Sequence, residues 1–392
     1  MKRLVQWGAG NIGRSFIGQV FSRSGYEVVF IDIDSNLVNL LNTTHQYEVE
    51  VVSQEGSQRI PITGVRAVHG NDRQGVLEAI EGTDLISLSV GKQVLPRIAA
   101  QLGEALEHRI RQRPDQPVDI IIAENIHEGA RFLQGLLATH MPSWDQMKSR
   151  IGLIETSIGK MVPIQTSKNP LTMLAEPYNE LIVDREGFVG PLPDCPFLHP
   201  VTPIAAYVDR KLYIHNLGHA TAAYLGFQKQ PHVQSLAEVL DDARIREGTR
   251  AAMEQGAQIL LARYPEVFSN EALEDHIDDL IYRFRNKALG DTVFRVGRDI
   301  GRKLRYDDRL MGAIIQAEQA GLPWDAIARA YRAGMAFAAT DPQGLLSPQD
   351  AQLAKELQEL SLREAVLRVS ALDEAGIDSG IHDRILIQLE RI

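Results

Sequence analysis

The chain has 392 residues, more than one compact core usually holds, and this length predicts two domains. Apolar residues make up 44% and charged residues 23% of the sequence, as in a folded globular protein rather than a disordered one. The formal net charge of −10 excludes a general attraction to nucleic acid or acidic lipid. An anionic substrate would therefore need a local basic patch.

The sequence contains one cysteine, Cys195. It matches no metal-binding spacing and is expected to be an unreactive buried thiol. No apolar run approaches the roughly 18 residues of a transmembrane helix. The apolar run after the opening Met-Lys-Arg is short and ends at Gly8, as in a buried strand rather than a signal peptide. We therefore expect a cytoplasmic protein with no membrane or nucleic-acid partner.

The first third of the chain alternates short Val- and Ile-rich runs with amphipathic stretches. This alternation predicts parallel strands joined by helices in a doubly wound sheet. The predicted strands cover residues 3–7, 27–33, 84–90 and 118–123, and the first predicted helix covers residues 12–24. Residues 47–67 alternate apolar and polar side chains, which predicts an antiparallel hairpin inserted in this domain.

Residues 151–200 are irregular and rich in proline, and they predict only one or two strands, near residues 181–183. We place the domain junction late in this stretch, which gives domains over residues 1–195 and 196–392. From about residue 203 an apolar spacing of three to four residues predicts helices. The predicted helices cover residues 205–225, 236–264, 271–284, 307–320 and 324–338, with two or three more in residues 348–392.

A glycine-rich turn follows the first predicted strand, with the sequence Gly8-Ala9-Gly10-Asn11-Ile12-Gly13. The pattern G-x-G-x-x-G between a strand and a helix is typical of a dinucleotide site. Gly8 permits the tight turn, Gly10 lets the backbone approach the pyrophosphate, and Gly13 lets helix and strand pack closely. The N–H groups at the start of the helix would face the phosphates.

An acidic residue, Asp32, ends the second predicted strand. Its carboxylate can accept hydrogen bonds from the adenosine ribose and would repel the extra phosphate of NADP, which predicts NAD as the cofactor. A turn-capping role is the alternative for Asp32, and nearby Asp34 could share the ribose contact. For Arg14, a phosphate contact and a solvated position are both open.

Three polar residues in a helical stretch form the pattern K-x4-N-x2-H: Lys211, Asn216 and His219. At 100° per residue they lie at about 0°, 140° and 80° on a helical wheel, an arc from which long side chains can converge. A lysine of lowered pKa can remove a hydroxyl proton, and an amide can donate to a developing alkoxide. Lysine and asparagine are not usual zinc ligands, so this chemistry would be metal-free. From the spacing alone, these three residues could equally be exposed to solvent or hydrogen-bonded within the core without a catalytic role.

With these two motifs the chain resembles the polyol-specific long-chain dehydrogenases. The resemblance extends to about residue 340 and, more faintly, into the tail. The matching stretches are residues 8–18, 123–125, 181–184, 210–226, 295–298 and 302–304. It implies an α/β protein with an N-terminal Rossmann-type doubly wound parallel sheet, which binds NAD, followed by a mostly α-helical C-terminal domain that supplies the substrate site.

The resemblance also implies roles for individual residues. Lys211 would be the general base, while Asn216 and His219 would position the substrate and stabilise the alkoxide. Asn125, at the end of a parallel strand, would be a second amide donor, although a turn residue closing the strand is the alternative. Val90 and Gly91 would lie against the nicotinamide side of the cofactor.

Two departures from the family pattern put the substrate in doubt. Gly159-Lys160-Met-Val-Pro163 stands where the family has an Asp-Arg-Ile-Val-Pro-like run, and Asn286-Lys287 stands where the family has Asn-Pro. Both changes could lie near the substrate pocket.

A basic stretch between Arg283 and Arg305 contains eight basic residues and only two acidic ones, Asp291 and Asp299. Within it, i, i+3, i+7 spacing would place three arginines on one helical face. Arginine suits phosphate because its planar fork donates two hydrogen bonds at once. A phosphate or carboxylate site is favoured over a solvated or salt-bridged face, with these candidates: Arg295, Arg298, Arg302 and Lys303.

The reaction that the resemblance implies is hydride transfer between NAD and a polyol phosphate, interconverting mannitol 1-phosphate and fructose 6-phosphate. A hexuronate reductase acting on tagaturonate or fructuronate, or a dehydrogenase of unphosphorylated polyols, keeps the same mechanism. A non-catalytic NAD-binding sensor is the more distant alternative, since it would need no Lys211, Asn216 or His219. The sequence leaves the oligomeric state open, and a large helical C-terminal domain is compatible with a monomer.

Overall fold

The computed structural model describes residues 2–392. Its internal contacts divide the chain into two compact units, the first ending at Val208 and the second covering Asp209–Ile392. The sequence-based boundary after residue 195 falls inside the first unit. A strand that follows it, Leu198–Val201, pairs with the sheet of that unit, so the division by contacts comes after this strand.

The first unit is built on strands that alternate with helices in its N-terminal part. Its strands are β1 (Arg3–Trp7), β2 (Glu27–Asp32), β3 (Gln46–Ser53), β4 (Gly56–Thr63), β5 (Val65–His69), β6 (Leu85–Leu88), β7 (Val118–Ile122), β8 (Ile151–Ser157), β9 (Thr172–Ala175), β10 (Leu181–Asp184) and β11 (Leu198–Val201). Its helices are α1 (Gln19–Arg23), which continues a π-helical segment Gly13–Gly18, α2 (Ser35–Thr44), α3 (Arg73–Glu81), α4 (Leu95–Gln112), α5 (Gly129–His140) and α6 (Trp144–Met147).

In the part of the chain that the structure describes, eight strands form the main sheet, in the order β11-β10-β8-β7-β6-β1-β2-β5. The strands from β8 to β5 are parallel, and β10 runs antiparallel to β8. The chain order reverses between β1 and β6, which is where doubly wound sheets bind ligands, beyond the carboxyl ends of the strands. This architecture confirms the predicted Rossmann-type sheet.

Both faces of the main sheet are covered, so its central strands are apolar on both sides. Leu4 of β1 and Phe30 of β2 enter one hydrophobic core, and Val5 and Ile31 enter the other. All four side chains are 0% exposed. This continuous burial explains why the strands appear in the sequence as uninterrupted Val- and Ile-rich runs.

Two sequence predictions in the first unit need correction. The hairpin consists of β3 and β4 only, because β5 pairs parallel with β2 in the main sheet instead of extending the hairpin. The stretch 151–200 holds four strands instead of one or two, namely β8, β9, β10 and most of β11, although most of its residues lie outside strands. Strand β9 joins the hairpin in a separate three-stranded sheet. Strand β9 has only four residues and pairs with β3, far earlier in the chain, so it carries little local periodicity that a sequence pattern could detect.

The second unit is helical, as predicted. Its helices are α7 (Ile204–Arg210), which begins before the division, α8 (Leu217–Lys229), α9 (Leu236–Val239), α10 (Ala243–Arg263), α11 (Asn270–Phe284), α12 (Val293–Gly297), α13 (Ile300–Lys303), α14 (Met311–Gln319), α15 (Asp325–Met335), α16 (Pro348–Leu357), α17 (Leu362–Ser370) and α18 (Ser379–Arg391). Among residues 2–392, no helix combines the length and the apolar character needed to cross a membrane.

Between α7 and α8 the chain forms a π-helical segment, Lys211–Asn216, that we call the π turn. A π-helix bonds residues five apart, whereas an α-helix bonds residues four apart. Residues at i and i+5 therefore lie on nearly the same face, and Lys211 and Asn216 have this spacing. The arc of about 140° expected between them from α-helical geometry is wrong for this reason.

Candidate active site

The turn after β1 has the shape that the glycine pattern predicted. Gly8 has φ +95°, a conformation that other residues rarely adopt, and a Cβ there would come within 2.5 Å of the Ser89 carbonyl oxygen beyond β6. A Cβ on Gly13 would overlap the carbonyl oxygen of Gly8. In contrast, a Cβ on Gly10 would meet nothing within 4 Å, so open space lies beside the backbone at this position. The turn can therefore admit a pyrophosphate.

The carboxylate of Asp32 is fixed at the same edge of the sheet. Its Oδ2 accepts a 2.7 Å hydrogen bond from the backbone N–H of Ala9, and its Oδ1 accepts one of 3.0 Å from that of Asp34. The Asp34 side chain caps α2 by accepting from two backbone N–H groups, which accounts for it without a ribose contact.

The Arg14 side chain is buried, which excludes the solvated position left open by the sequence. Its Nε donates a 2.6 Å hydrogen bond to the carbonyl oxygen of Ala9, and its Nη1 donates to that of Pro170. The Tyr47 hydroxyl of the hairpin donates to the Arg14 carbonyl oxygen at 2.6 Å. Arg14 thus connects the glycine turn to the three-stranded sheet by hydrogen bonds.

The carboxyl ends of β6 and β7 lie next to this turn in the sheet order. Gly91, with φ +93°, follows β6, and its N–H donates a 2.6 Å hydrogen bond to Glu124 Oε1 beyond β7. Burial raises the pKa of Glu124. Asn125 follows Glu124 and is exposed, and Val90 is partly buried. The residues predicted for the nicotinamide end of a cofactor therefore share one edge of the sheet.

The first departure from the family pattern is buried in the first unit. Lys160 Nζ donates to the carbonyl oxygens of Glu176 and Tyr178, at 3.1 and 2.8 Å, and to Asn179 Oδ1 at 2.7 Å. It also lies 5.2 Å from the centre of the Phe16 ring. Lys160 therefore ties the segment after β8 to the loop after β9. Cys195 is buried as predicted, with Ser24 Oγ 3.2 Å from its sulfur.

In the second unit, Lys211 opens the π turn and is partly buried. Burial, with a further contribution from the positive charge of Arg309, lowers the pKa of Lys211 to about 8. Asn216 closes the same turn, and His219 follows three residues later on α8. An amine that is partly neutral near pH 8 can act as a general base.

The His219 ring is held on two sides. It stacks on the Phe284 ring with centroids 4.7 Å apart and an interplanar angle of 14°. Its Nε2 lies 3.2 Å from Asp291 Oδ2. Asp291 also accepts a 2.8 Å hydrogen bond from Arg295 Nε, and the neighbouring His219 and Arg295 keep the pKa of the Asp291 carboxyl low despite burial. Asp291 thus connects His219 to Arg295.

Gly218 lies in α8 between Leu217 and His219, and the structure supplies its packing reason. A Cβ there would come within 2.5 Å of Met253 Sδ on α10. The missing side chain lets α8 and α10 approach closely beside the π turn.

The basic stretch is not a single helical face, contrary to the sequence expectation. Arg298 has extended ψ of 166° and separates α12 from α13, so the i, i+3, i+7 spacing does not place the three arginines together. Arg302 Nε donates to Asp299 Oδ2 at 2.5 Å, and the buried Lys303 Nζ donates to the Val296 carbonyl oxygen at 2.5 Å. Burial lowers the pKa of Lys303 to about 7. Arg298 is exposed and lies against the Phe294 ring.

The second departure lies at the C-terminal end of α11. Asn286 is 7% exposed, and its side chain accepts a 3.1 Å hydrogen bond from the Ala288 N–H. Lys287 points to solvent, with Nζ 3.7 Å from Asp241 Oδ2. The asparagine therefore caps the short turn after α11, and the lysine forms a surface ion pair.

Sequence reasoning missed the groups that surround the π turn from other segments. Arg309 approaches it from the segment before α14, and α11 contributes Phe284, Arg283 and His276. The Asp308-Arg309 pair was visible in the sequence, but no spacing rule connects it to Lys211. Over the described range 2–392, no group of three or more His, Cys, Asp and Glu side chains is arranged to hold a metal ion.

Both halves of the chain match the models of one family. The model described as the mannitol dehydrogenase Rossmann domain matches residues 2–196, and that of the mannitol dehydrogenase C-terminal domain matches residues 203–387. The chain therefore belongs to the mannitol dehydrogenase family of oxidoreductases, which confirms the resemblance seen in the sequence.

Two curated relatives narrow the comparison. The mannitol-1-phosphate 5-dehydrogenase of Brevibacillus brevis is 33% identical over 335 residues, which is 85% of this chain and 85% of the relative. That of Streptococcus mutans is 30% identical over 381 residues, 96% of this chain and 97% of the relative.

Solved structures share the fold at low identity. The Pseudomonas fluorescens mannitol 2-dehydrogenase, in a ternary complex with NAD and D-mannitol, is 14% identical with a TM-score of 0.69, and the match covers 100% of this chain and 94% of that one. A substrate-free D-sorbitol dehydrogenase is 13% identical with a TM-score of 0.73, and the match covers 98% of this chain and 94% of that one.

Proposed function

We propose that the protein is an NAD-dependent dehydrogenase that interconverts D-mannitol 1-phosphate and D-fructose 6-phosphate. Membership of the mannitol dehydrogenase family and relatives named mannitol-1-phosphate 5-dehydrogenase support this reaction. The observation that carries the proposal is the π turn, which joins a lysine of lowered pKa to an amide donor five residues away, with a histidine on the next turn. A dehydrogenase needs a base and donors for the alkoxide, and this set supplies both.

In the oxidation direction, the neutral Lys211 amine would take the proton from the substrate hydroxyl. The Asn216 amide would donate to the same oxygen as negative charge develops, with Asn125 as the second amide donor. His219, held by Phe284 and Asp291, would hydrogen-bond the substrate and fix its orientation. In the reverse direction the Lys211 ammonium returns the proton to the carbonyl oxygen. We propose that no metal takes part.

The residues of the glycine turn and Asp32 fit NAD. The open space at Gly10 and the N–H groups that follow suit the pyrophosphate, and Asp32 would accept the ribose hydroxyls. When bound, NAD supplies the hydride acceptor.

For the substrate phosphate, we propose Arg295 as the first candidate, because Asp291 connects it directly to His219. Arg298, Arg302 and Lys303 remain candidates. Replacing the residue that binds phosphate should lower kcat/KM for mannitol 1-phosphate by roughly 10- to 100-fold, the effect of one charge-assisted hydrogen bond. The same substitution should leave kcat/KM for unphosphorylated mannitol unchanged. An equal loss of kcat/KM with both substrates would show that the substituted residue does not bind the phosphate.

An absorbance assay at 340 nm tests the proposed function. NADH and NADPH are each combined with fructose 6-phosphate, fructose, tagaturonate and fructuronate. We expect the highest kcat/KM with NADH and fructose 6-phosphate. Turnover of a hexuronate or of fructose, with none of fructose 6-phosphate, would assign a different substrate to the same mechanism. NADH binding without any turnover would favour a non-catalytic sensor. A cytoplasmic location stays a prediction.

A further inference from the structure

A buried arginine reaches the π turn from a distant part of the second unit. Arg309, in the segment before α14, is 9% exposed, and its Nη1 donates a 3.4 Å hydrogen bond to the backbone carbonyl oxygen of Asn216. Buried guanidinium groups are costly unless they are paired. The partner here is the neighbouring residue, Asp308.

Asp308 holds Arg309 from one side and is itself held from the other. Its Oδ1 accepts hydrogen bonds from Arg309 Nε at 2.8 Å and from the Arg309 backbone N–H at 2.7 Å. Its Oδ2 lies 3.0 Å from Arg302 Nη1, which donates to it. These positive groups keep the pKa of the Asp308 carboxyl low. The Arg309 guanidinium group therefore cannot rotate without breaking its ion pair with Asp308.

The network is anchored further along the chain. Arg302 Nε also donates to Asp299 Oδ2, and Asp299 has φ +70°, an uncommon conformation for a residue other than glycine. The carboxylate of Asp350, 5% exposed on α16, accepts hydrogen bonds from the backbone N–H groups of Asp299 and Ile300, at 2.9 and 2.8 Å. A segment near the C-terminus thereby fixes the loop that holds Arg302, and through it Arg309.

We propose that Arg309 is a positioning residue for this reaction: it fixes the π turn through the Asn216 carbonyl and places a permanent positive charge near the Lys211 amine. This inference rests on the function proposed above. A guanidinium suits the task because it stays protonated at every working pH, whereas a histidine or lysine would titrate. Two contacts made by one fork, to Asp308 and to Asn216, also give a geometry that a lysine cannot reproduce.

Electrostatics agree with the geometry. Burial is the main cause that lowers the pKa of Lys211, and Arg309 is the charged group that adds to it. The turn itself also carries two titratable residues, Tyr213 and His215. Arg283, His219 and His276 lie near His215 and, with Lys211, lower its pKa. The groups near Tyr213 are Asp209, Arg263, Tyr264 and Asp308. Arg283 is also a permanent charge, but it acts on His215, whereas the charge that acts on Lys211 is that of Arg309.

The test measures the pKa of Lys211 directly and through catalysis. The protein is labelled with 13C at lysine Cε, the Lys211 signal is assigned with a Lys211→Met variant, and its chemical shift is followed against pH. For Arg309→Gln we expect the pKa of Lys211 to rise by about one unit, because a like charge is removed. The apparent pKa in the pH profile of kcat/KM for polyol oxidation should rise by the same amount. For Arg309→Lys the pKa should stay close to that of the unsubstituted protein, while kcat falls about tenfold through lost positioning.

The control is Arg329→Gln, which removes an exposed arginine of α15 that pairs with Asp325. We expect neither the pKa nor kcat to change in this variant. An unchanged Lys211 pKa in Arg309→Gln would overturn the inference. If Arg309→Gln does not fold, the Arg309→Lys variant tests the inference instead. An unchanged kcat in Arg309→Lys would reject the positioning role. A raised Lys211 pKa in a protein that turns over none of the tested polyols or sugars would support the charge contact and reject the proposed function.

Discussion

The Asp32 carboxylate, at the end of β2, accepts a 2.7 Å hydrogen bond from the backbone N–H of Ala9, inside the glycine turn after β1. One oxygen of this carboxylate therefore holds the turn, and the other accepts from the Asp34 N–H. Both oxygens keep lone pairs for a ligand, since a carboxylate has about four acceptor sites. The acid that would select the cofactor is thus also part of the turn that would bind its phosphates.

This relationship predicts the effect of Asp32→Asn. The amide oxygen can still accept from Ala9, but the negative charge that would repel the phosphate of NADP is gone. We expect the ratio of kcat/KM with NAD to that with NADP to fall by about 10- to 100-fold, the effect of a charge-assisted contact. Steady-state kinetics with both cofactors measure it. Asp72→Asn, at the cap of α3, is the matched control and should leave the ratio unchanged. An Asp32→Asn enzyme that keeps the original ratio would remove Asp32 from cofactor selection.

The second prediction concerns Lys211→Met, which removes the proposed base and preserves most of the side-chain volume. We expect kcat to fall about 1,000-fold, within the usual range for general acid–base catalysis. The affinity for NADH, measured by fluorescence titration, should stay within about twofold, because cofactor binding is assigned to the other unit. Lys229→Met on α8, where the lysine forms a surface ion pair with Asp242, should keep full activity. Loss of NADH affinity in proportion to kcat would point to a structural role for Lys211.

The pH dependence of the two reaction directions should have opposite signs. The pKa of Lys211 is lowered to about 8, and polyol oxidation needs the neutral amine. The kcat/KM for oxidation should therefore rise with pH and level off above about 8, whereas reduction needs the ammonium and should fall across the same range. Profiles from pH 6 to 10 in both directions give the measurement. If the residual activity of Lys211→Met shows the same pH dependence, the titrating group is not Lys211.

The fourth prediction tests the packing reason for Gly218. In Gly218→Ala the new methyl group would meet the fully buried Met253, and relieving the overlap should cost about 1–3 kcal/mol of the free energy of unfolding, more than the about 0.5–1 kcal/mol that alanine gains over glycine in a helix. The π turn adjoins this contact, so kcat should fall as well. Gly135→Ala, on the exposed side of α5 where a Cβ meets nothing within 4 Å, is the control and should stabilise by about 0.5–1 kcal/mol. Denaturant unfolding compares the two variants, and a Gly218→Ala protein as stable as the unsubstituted one would contradict the packing argument.

Local patterns were enough to predict the Rossmann-type sheet and the helical second unit. The glycine turn, the acid that ends β2 and the apolar runs of β1 and β7 depend on neighbours close in the chain, and each follows from a few residues. Strand β9 could not be predicted in this way, because it pairs with β3, which lies far earlier in the sequence. The basic stretch shows the same limit, since an extended Arg298 breaks the helical spacing on which the shared face depended.

For the candidate site, the sequence by itself determined which chemical groups are present: a lysine, an asparagine and a histidine in one helical stretch, and a glycine turn followed by an acid. The tertiary structure decided how those groups can act. It replaced α-helical geometry by a π turn that places Lys211 and Asn216 on one face, and it brought Arg309, Phe284 and Asp291 beside them. The physical reason is that the pKa and orientation of a side chain depend on burial and on nearby charges, which come from residues distant in the chain.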